Sequence, residues 1–163
     1  MSSAAGNRSG IGWDSHRLVT GRPLILGGVT IPAELGLDGH SDADVLTHAV
    51  IDALLGAAGL GDIGQHFPDT DERWRDADSL ELLAAVMVVI AERGLRPVHV
   101  DTTLLMERPK IGPHREEIRL ALAAAVGVDV DAVNLKATTG EGIGFVGRME
   151  GVAAMAVATL TDA

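Results

Sequence analysis

A short stretch near the N-terminus, GIGWDSH, alternates between two kinds of residue. Gly10 and Gly12 are followed at the same spacing by Asp14 and His16. Side chains two apart on a strand point to the same face, so bare backbone and two polar groups share one face. The glycines would leave that face open. It suits a metal pair or an acid–base pair, and it is equally typical of an edge strand whose polar side chains meet water.

A further histidine comes from the first predicted helix, residues 42–55. His48 lies in the middle of that helix. Together with Asp14 and His16 it would form a two-histidine, one-carboxylate set. That set suits zinc with an open fourth position, and it also suits non-haem iron. An ordinary polar position on a helix is the alternative for His48.

Composition limits the ligands and partners that are possible. The 163 residues are 47% apolar, which is enough for one domain with its own core. Only 2% are aromatic, so we expect a core of aliphatic residues and alanine with closely packed backbones. The chain has no Cys, so any metal must be held by His, Asp and Glu. The net charge of −10 argues against nucleic acid and anionic membranes as partners.

The chain is predicted to hold one domain. Residues 1–9 are small and polar and are expected to be a disordered leader, and residues 10–163 form a single catalytic domain. The longest apolar run, residues 82–91, is too short to cross a bilayer. We therefore expect a soluble, cytoplasmic protein.

Periodicity predicts an α+β sandwich in which helices cover one face of a mixed four- to five-stranded sheet. The strands are expected at residues 11–19, 24–26, 98–106, 133–137 and 152–160. The helices are expected at residues 42–55, capped by Ser41 or Asp42, at residues 78–93, deeply buried on nearly all sides, and from the Pro109–Pro113 elbow to residue 126. Residues 27–32 are expected to be irregular.

Two further segments carry polar groups suited to anions. His40 and Ser41 stand just before the first helix, where backbone N–H groups also point outward. The segment KATTGEGIGFVGRMEG combines hydroxyls, a carboxylate and glycines, which suits phosphate with a divalent cation. It lacks the order of the Walker motif, and glycine-rich loops are often only turns.

Four segments together resemble a known family. DSHRL, HSDADVLTHAVIDALLGAAGLGDIGQHFPDTD, ERPKIGPH and NLKATTGEGIGFVGRMEG are similar, in order and spacing, to the signature segments of the 2-C-methyl-D-erythritol 2,4-cyclodiphosphate synthases. That family serves the non-mevalonate route to isoprenoids. The resemblance covers nearly the whole chain from residue 10 onward.

The resemblance implies roles for individual residues. Asp14, His16 and His48 would bind one tightly held divalent ion, most simply zinc, and Glu141 a second ion, Mg²⁺ or Mn²⁺. The catalytic residues would be His40 and Thr139. The substrate contacts would be Ser41, Asp62, Ile63, Gly64, Phe67, Pro68, Asp69, Thr70, Asp71, Thr138, Phe145 and Arg148. The cytidine pocket would be formed by Met106, Glu107, Arg108, Pro109, Lys110, Ile111 and Gly112.

The resemblance also implies an activity and an assembly. The enzyme would cyclise 4-diphosphocytidyl-2-C-methyl-D-erythritol 2-phosphate with release of CMP, by metal-assisted intramolecular phosphoryl transfer. It would be a homotrimer with active sites between subunits. The alternatives are a two-histidine, one-carboxylate hydrolase or oxygenase with another substrate, and a non-enzymatic module that binds a metal or an isoprenoid.

Overall fold

The computed structural model describes residues 6–163 and shows a five-stranded mixed sheet beside a two-stranded hairpin. The strands are β1 (Arg8–Val19), β2 (Leu24–Leu26), β3 (Val29–Ile31), β4 (Gly36–Leu37), β5 (Leu95–Leu105), β6 (Val133–Thr138) and β7 (Gly151–Asp162). The helices are α1 (Val45–Ala58), α2 (Ile63–His66), α3 (Ser79–Glu92), α4 (Arg115–Val126) and α5 (Gly144–Gly147). The large sheet has the order β4-β1-β7-β5-β6, and β2 pairs with β3. No helix among the described residues has the length and apolar character needed to cross a membrane.

The two faces of the large sheet differ in what covers them. Alternate residues of β7, such as Ala154, Ala156 and Ala158, are buried on the face that carries the helices. Their neighbours Met155 and Val157 point to the opposite face and are exposed. The predicted α+β class, with a mixed sheet and helices on one face, is confirmed.

The glycines of β1 allow α1 to lie directly on the sheet. A Cβ atom at Gly12 would sit 1.8 Å from the carbonyl oxygen of Ala49, and one at Gly10 would sit 2.2 Å from that of Ala53. Real side chains never come so close to backbone, so only glycine fits at these positions. The prediction that the glycines leave this face open is wrong, because the backbone of α1 fills the space.

The N-terminus of α1 differs from the prediction. The helix begins at Val45, and its cap is Asp44 rather than Ser41 or Asp42. The Asp44 carboxylate accepts hydrogen bonds from the backbone N–H of Thr47 at 3.0 Å and from the β2–β3 turn, Gly27 at 2.9 Å and Gly28 at 2.7 Å. Complete burial raises the pKa of Asp44. This one side chain therefore ties the hairpin to the start of the helix that carries His48.

Three other predictions need correction. The helix predicted to be buried on nearly all sides, α3, exposes Ala84, Ala85 and Val88, because only its other side packs against the core. Residues expected to be irregular form β3, since they pair with β2 across a glycine turn. The predicted leader ends earlier than residue 10, because Arg8 already pairs with β7; residues 1–5 lie outside the described residues.

The contact between β1 and α1 gives a first test. We expect Gly12→Ala to lower the free energy of unfolding by about 1–3 kcal/mol or more, because the new methyl group overlaps the Ala49 carbonyl. It should also weaken metal binding, because the displaced helix carries His48. The matched control is Gly56→Ala in α1, where the nearest atom to a new Cβ is 3.8 Å away. That control should be neutral or stabilising by about 0.5–1 kcal/mol, because it removes a glycine from a helix. Urea unfolding that ranks the two variants equally would contradict this account.

Candidate active site

Three side chains from β1 and α1 converge on one point. Asp14 Oδ2 lies 2.8 Å from His16 Nε2 and 3.1 Å from His48 Nδ1, and the two nitrogens are 3.2 Å apart. All three donor atoms lie within 4.8 Å of one another, and they are the only such cluster among the described residues. The cluster offers two imidazoles and one carboxylate, and one of its sides is open toward a cavity. This donor set fits a divalent ion such as zinc. The structure thus brings together the three predicted ligands.

The electrostatics of the cluster favour an ionised carboxylate. Burial by itself raises the pKa of Asp14, but the neighbouring imidazoles of His16 and His48 outweigh burial and lower it to about 2. Burial by itself lowers the pKa of His16, but its hydrogen bond with Asp14 and that negative charge prevail and raise it. Without a metal, a proton on His16 therefore takes the place that an ion would occupy.

The cluster opens into a cavity of about 450 Å³. Seven predicted residues besides the metal ligands line it: His40, Ser41, Ile63, Gly64, Phe67, Pro68 and Asp69. Trp74 and Leu82 also line it, and the sequence motifs gave no signal for either. An apolar wall with polar groups at one end suits a small organic molecule with a charged group.

Three predicted substrate residues from the same stretch of the chain, Asp62, Thr70 and Asp71, do not line this cavity. Asp62 caps α2 by accepting the N–H of Gln65 at 3.0 Å, and Asp71 holds the Arg73 guanidinium. Thr70 is exposed and does not line the cavity. Local capping and ion pairing therefore account for the carboxylates of Asp62 and Asp71 in this structure.

The loop before α1 is anchored from two sides. The guanidinium of Arg22 donates to the carbonyl oxygen of Ser41 at 2.8 Å, and the N–H of Asp76 donates to that of His40 at 2.8 Å. The His40 ring reaches the carbonyl oxygen of Asp71 at 3.2 Å. These contacts hold His40 and Ser41 at the edge of the cavity.

A second cavity of about 270 Å³ lies at the proline elbow. It is lined by Met106, Pro109, Lys110, Ile111 and Gly112 of the predicted cytidine segment, together with Thr138 and Thr139. The other two predicted residues point elsewhere. The Glu107 carboxylate accepts the N–H of Gly140, and Arg108 lines a different cavity beside Met149.

The segment from Thr138 to Glu141, here called the threonine loop, lies far from the metal-ligand cluster formed by Asp14, His16 and His48 of the same chain. Across the sheet, Ser15 of β1 pairs with Ala153 of β7. Ala153 pairs in turn with Leu105 of β5, and Leu105 pairs with Thr138 at the end of β6. Three strand spacings separate Ser15 from Thr138, about 14 Å. Glu141 belongs to this far side, where its carboxylate lies 3.4 Å from Thr139 Oγ1. Glu141 is accordingly absent from the cluster of Asp14.

The last two predicted contacts lie after the glycine-rich loop. Phe145 is partly exposed and lines a small cavity with Ser15 and His16. Arg148 forms an exposed ion pair with Glu150, with 2.9 Å between Nη2 and Oε2. The structure places neither side chain in the larger cavity or at the elbow.

The fold and the cluster define a class of protein: an α+β domain with a two-histidine, one-carboxylate cluster beside a substrate-sized cavity. The model of the YgbB family matches residues 7–161. The 2-C-methyl-D-erythritol 2,4-cyclodiphosphate synthase of Salinibacter ruber is 61% identical over 156 residues, 96% of this chain and 99% of that protein. The synthase of Symbiobacterium thermophilum is 60% identical, over 93% of this chain and 96% of that protein.

Solved structures agree with this relationship. A 2C-methyl-D-erythritol-2,4-cyclodiphosphate synthase in its CDP-bound form has a TM-score of 0.87 at 43% identity, covering 94% of this chain and 99% of that one. The bifunctional IspDF of Campylobacter jejuni has a TM-score of 0.95 at 39% identity, covering 98% of this chain and 43% of that one. The chain therefore belongs to the YgbB family, the family of the 2-C-methyl-D-erythritol 2,4-cyclodiphosphate synthases, and it is an enzyme. The resemblance seen in the four sequence segments is confirmed.

The raised pKa of His16 predicts how metal binding depends on pH. A protonated imidazole cannot bind a metal, so protons compete with zinc for His16. Because the pKa of His16 lies above the ordinary value, competition should begin above pH 6.5. We expect affinity to fall by up to about tenfold per pH unit below that pKa. Chelator competition with the zinc-free protein between pH 8 and pH 6 measures this, and a constant affinity over that range would contradict the ion pair.

Proposed function

We propose that the chain cyclises 4-diphosphocytidyl-2-C-methyl-D-erythritol 2-phosphate to the 2,4-cyclodiphosphate and releases CMP. The observation that supports this most strongly is the cluster of Asp14, His16 and His48 beside a cavity, in a chain 61% identical to a named synthase. The chemistry is intramolecular: the 2-phosphate oxygen attacks the β-phosphorus, and the bond to the CMP phosphate breaks. The attacking oxygen is already anionic, so no protein base is needed.

The residues of the chain bind and orient the charged substrate in this proposal. Asp14, His16 and His48 would hold a zinc-type ion, which when bound supplies positive charge to phosphoryl oxygens. The loop with His40 and Ser41 offers an imidazole and a hydroxyl at the edge of the cavity. The apolar wall, including Phe67 and Trp74, would shield the reacting phosphates from water. Positioning and electrostatic stabilisation carry phosphoryl transfers of this kind.

The second part of the proposed site is the elbow. Its cavity, with Thr138 and Thr139 at one side, would take the cytidine and its phosphate, and Glu141 would bind Mg²⁺ or Mn²⁺ there. The elbow also argues against the hydrolase or oxygenase alternative, which would leave this cavity without a role.

We infer that two subunits of a homotrimer share each active site. Within one chain the threonine loop and the metal-ligand cluster are about 14 Å apart across the sheet, and a diphosphate is much shorter than that. A neighbouring chain can instead bring its elbow to the cluster. The exposed sheet face, Ile11, Trp13, Met155 and Val157, supplies an apolar surface for such an assembly. Cytoplasmic location remains the prediction for this assembly.

The activity is tested by CMP release from the cytidyl substrate with Mg²⁺ or Mn²⁺ present. Wild type should release CMP together with a cyclic product. Thr139→Ala should lower kcat by about tenfold to a thousandfold with less effect on KM, because it removes a contact that strengthens in the transition state. The matched control is Thr30→Ala on the exposed side of β3, which should keep full activity. No CMP from wild type would refute the function, and an unchanged kcat in Thr139→Ala would remove only the role of that residue.

The assembly has a separate test. Sedimentation equilibrium of wild type should give a trimer. Val157→Lys should dissociate it, because a charge on the apolar sheet face would be buried between subunits. Val88→Lys on the exposed side of α3 is the control and should remain trimeric, because α3 lies on the other side of the molecule from that face. A monomeric wild type with full activity would contradict the shared site.

A further inference from the structure

The nitrogen of His48 that points away from Asp14 and His16 lies against a buried hydroxyl. Its Nε2 atom lies 2.8 Å from Oγ of Ser79, the first residue of α3. Ser79 is completely buried, and no sequence motif marked it as part of the site. A buried hydroxyl needs partners for both its proton and its lone pairs, so its contacts determine what it can offer to His48.

The proton of this hydroxyl already forms a hydrogen bond with Asp42. Ser79 Oγ–H donates to Oδ1 of Asp42, and the Ser79 backbone N–H donates to Oδ2 of the same carboxylate at 3.0 Å. An ionised carboxylate only accepts, so Ser79 must be the donor in this bond. Its oxygen is then left to accept from His48. The Nε2 atom of His48 must therefore carry a proton.

This proton fixes which nitrogen of His48 faces the metal. A neutral imidazole with its proton on Nε2 has its lone pair on Nδ1, the atom that faces Asp14 and His16. Without a metal, a proton on His16 Nε2 lies between these groups: that nitrogen is 2.8 Å from Asp14 Oδ2 and 3.2 Å from His48 Nδ1, so Nδ1 accepts and needs no proton of its own. Once a metal displaces the proton on its Nε2, His16 is held in the opposite tautomer, since its Nδ1–H donates to the carbonyl oxygen of Asp38 at 2.9 Å and leaves the lone pair on Nε2. The two imidazoles thus use different nitrogens and direct both lone pairs at the same point.

We propose that Ser79, oriented by Asp42, is a positioning residue that sets the tautomer of His48 and makes Nδ1 its metal-binding atom. Outer partners of this kind orient a metal ligand and raise its affinity. Ser41 Oγ also approaches Nε2, but at 3.2 Å it lies farther away than Ser79. The inference rests on the metal site in the proposed function. It adds that the N-terminus of α3, a different helix, controls a ligand on α1.

Zinc affinity measured by chelator competition tests the inference. Ser79→Ala should weaken zinc binding by about 10- to 100-fold, because Nε2–H loses its acceptor. Ser79→Thr keeps the hydroxyl and should restore most of the affinity. Asp78→Ala is the matched control: it removes the cap of α3, a hydrogen bond of 2.9 Å to the N–H of Leu80, without touching His48. It should lower stability and leave zinc affinity unchanged.

Nitrogen NMR of the histidines reads the tautomer directly and does not depend on any variant folding. Wild type should show His48 protonated on Nε2, with the Nδ1 resonance shifting when zinc is added. Ser79→Ala should show a mixture of tautomers in the zinc-free protein. A wild type protonated on Nδ1, or full zinc affinity in Ser79→Ala, would overturn the inference. A protein that showed the expected tautomer and bound zinc but released no CMP would instead refute the proposed reaction.

Discussion

The contact between two backbones, that of β1 and that of α1, is the constraint on which the rest of the structure depends. Gly10 and Gly12 let the helix approach until its carbonyl groups occupy the space where Cβ atoms would be. Further along the strand, Asp14 and His16 meet His48, which directly precedes Ala49 in the helix. A larger residue at either glycine would move the helix and with it one of the three residues that could hold a metal.

The scarcity of aromatic residues belongs to the same constraint. With aromatics at 2% of the chain, the layer between sheet and helix is built from small side chains, including Ala49, Ala53, Ala154 and Ala156. Small residues allow elements to pack at short distances, and short distances bring polar groups from different elements into hydrogen-bond contact. The Asp44 carboxylate is an example of this close packing. It accepts hydrogen bonds from the N–H groups of the β2–β3 turn and from both the N–H and the hydroxyl of Thr47.

The site also explains how an acidic chain would bind the anionic substrate of the proposed function. The net charge of −10 repels a phosphorylated substrate in general. At the cluster, one carboxylate with two neutral imidazoles leaves a net positive charge on a divalent ion. The low pKa of Asp14 keeps that carboxylate ionised and ready to bind, and the surrounding cavity is mostly apolar. In the proposed function, binding would thus be confined to one place on an otherwise repulsive surface.

Much of this was accessible from the sequence, and the exceptions have physical causes. The alternation in β1, the periodicity of α1 and the ligand types predicted the three-residue cluster, because each depends on local spacing. Ser79 and Trp74 were not predicted, because their place in the site depends on how α3 and the preceding loop pack on α1. The cap of α1 was misplaced for the same reason: Asp44 is favoured over Ser41 by bonds to the distant β2–β3 turn. The prediction that Gly10 and Gly12 leave their face of β1 open is wrong because the alternation within a strand does not show which element packs on that face.

Anomalous diffraction at the zinc edge, from crystals of the zinc-loaded protein, is the most direct measurement of the central claim. The account predicts one peak per chain, about 2.0–2.2 Å from Asp14 Oδ2, His16 Nε2 and His48 Nδ1, with a fourth position open toward the cavity. A peak bound by other residues, or one that leaves His48 out, would contradict the claim that the packing of α1 on the glycines of β1 builds the metal site.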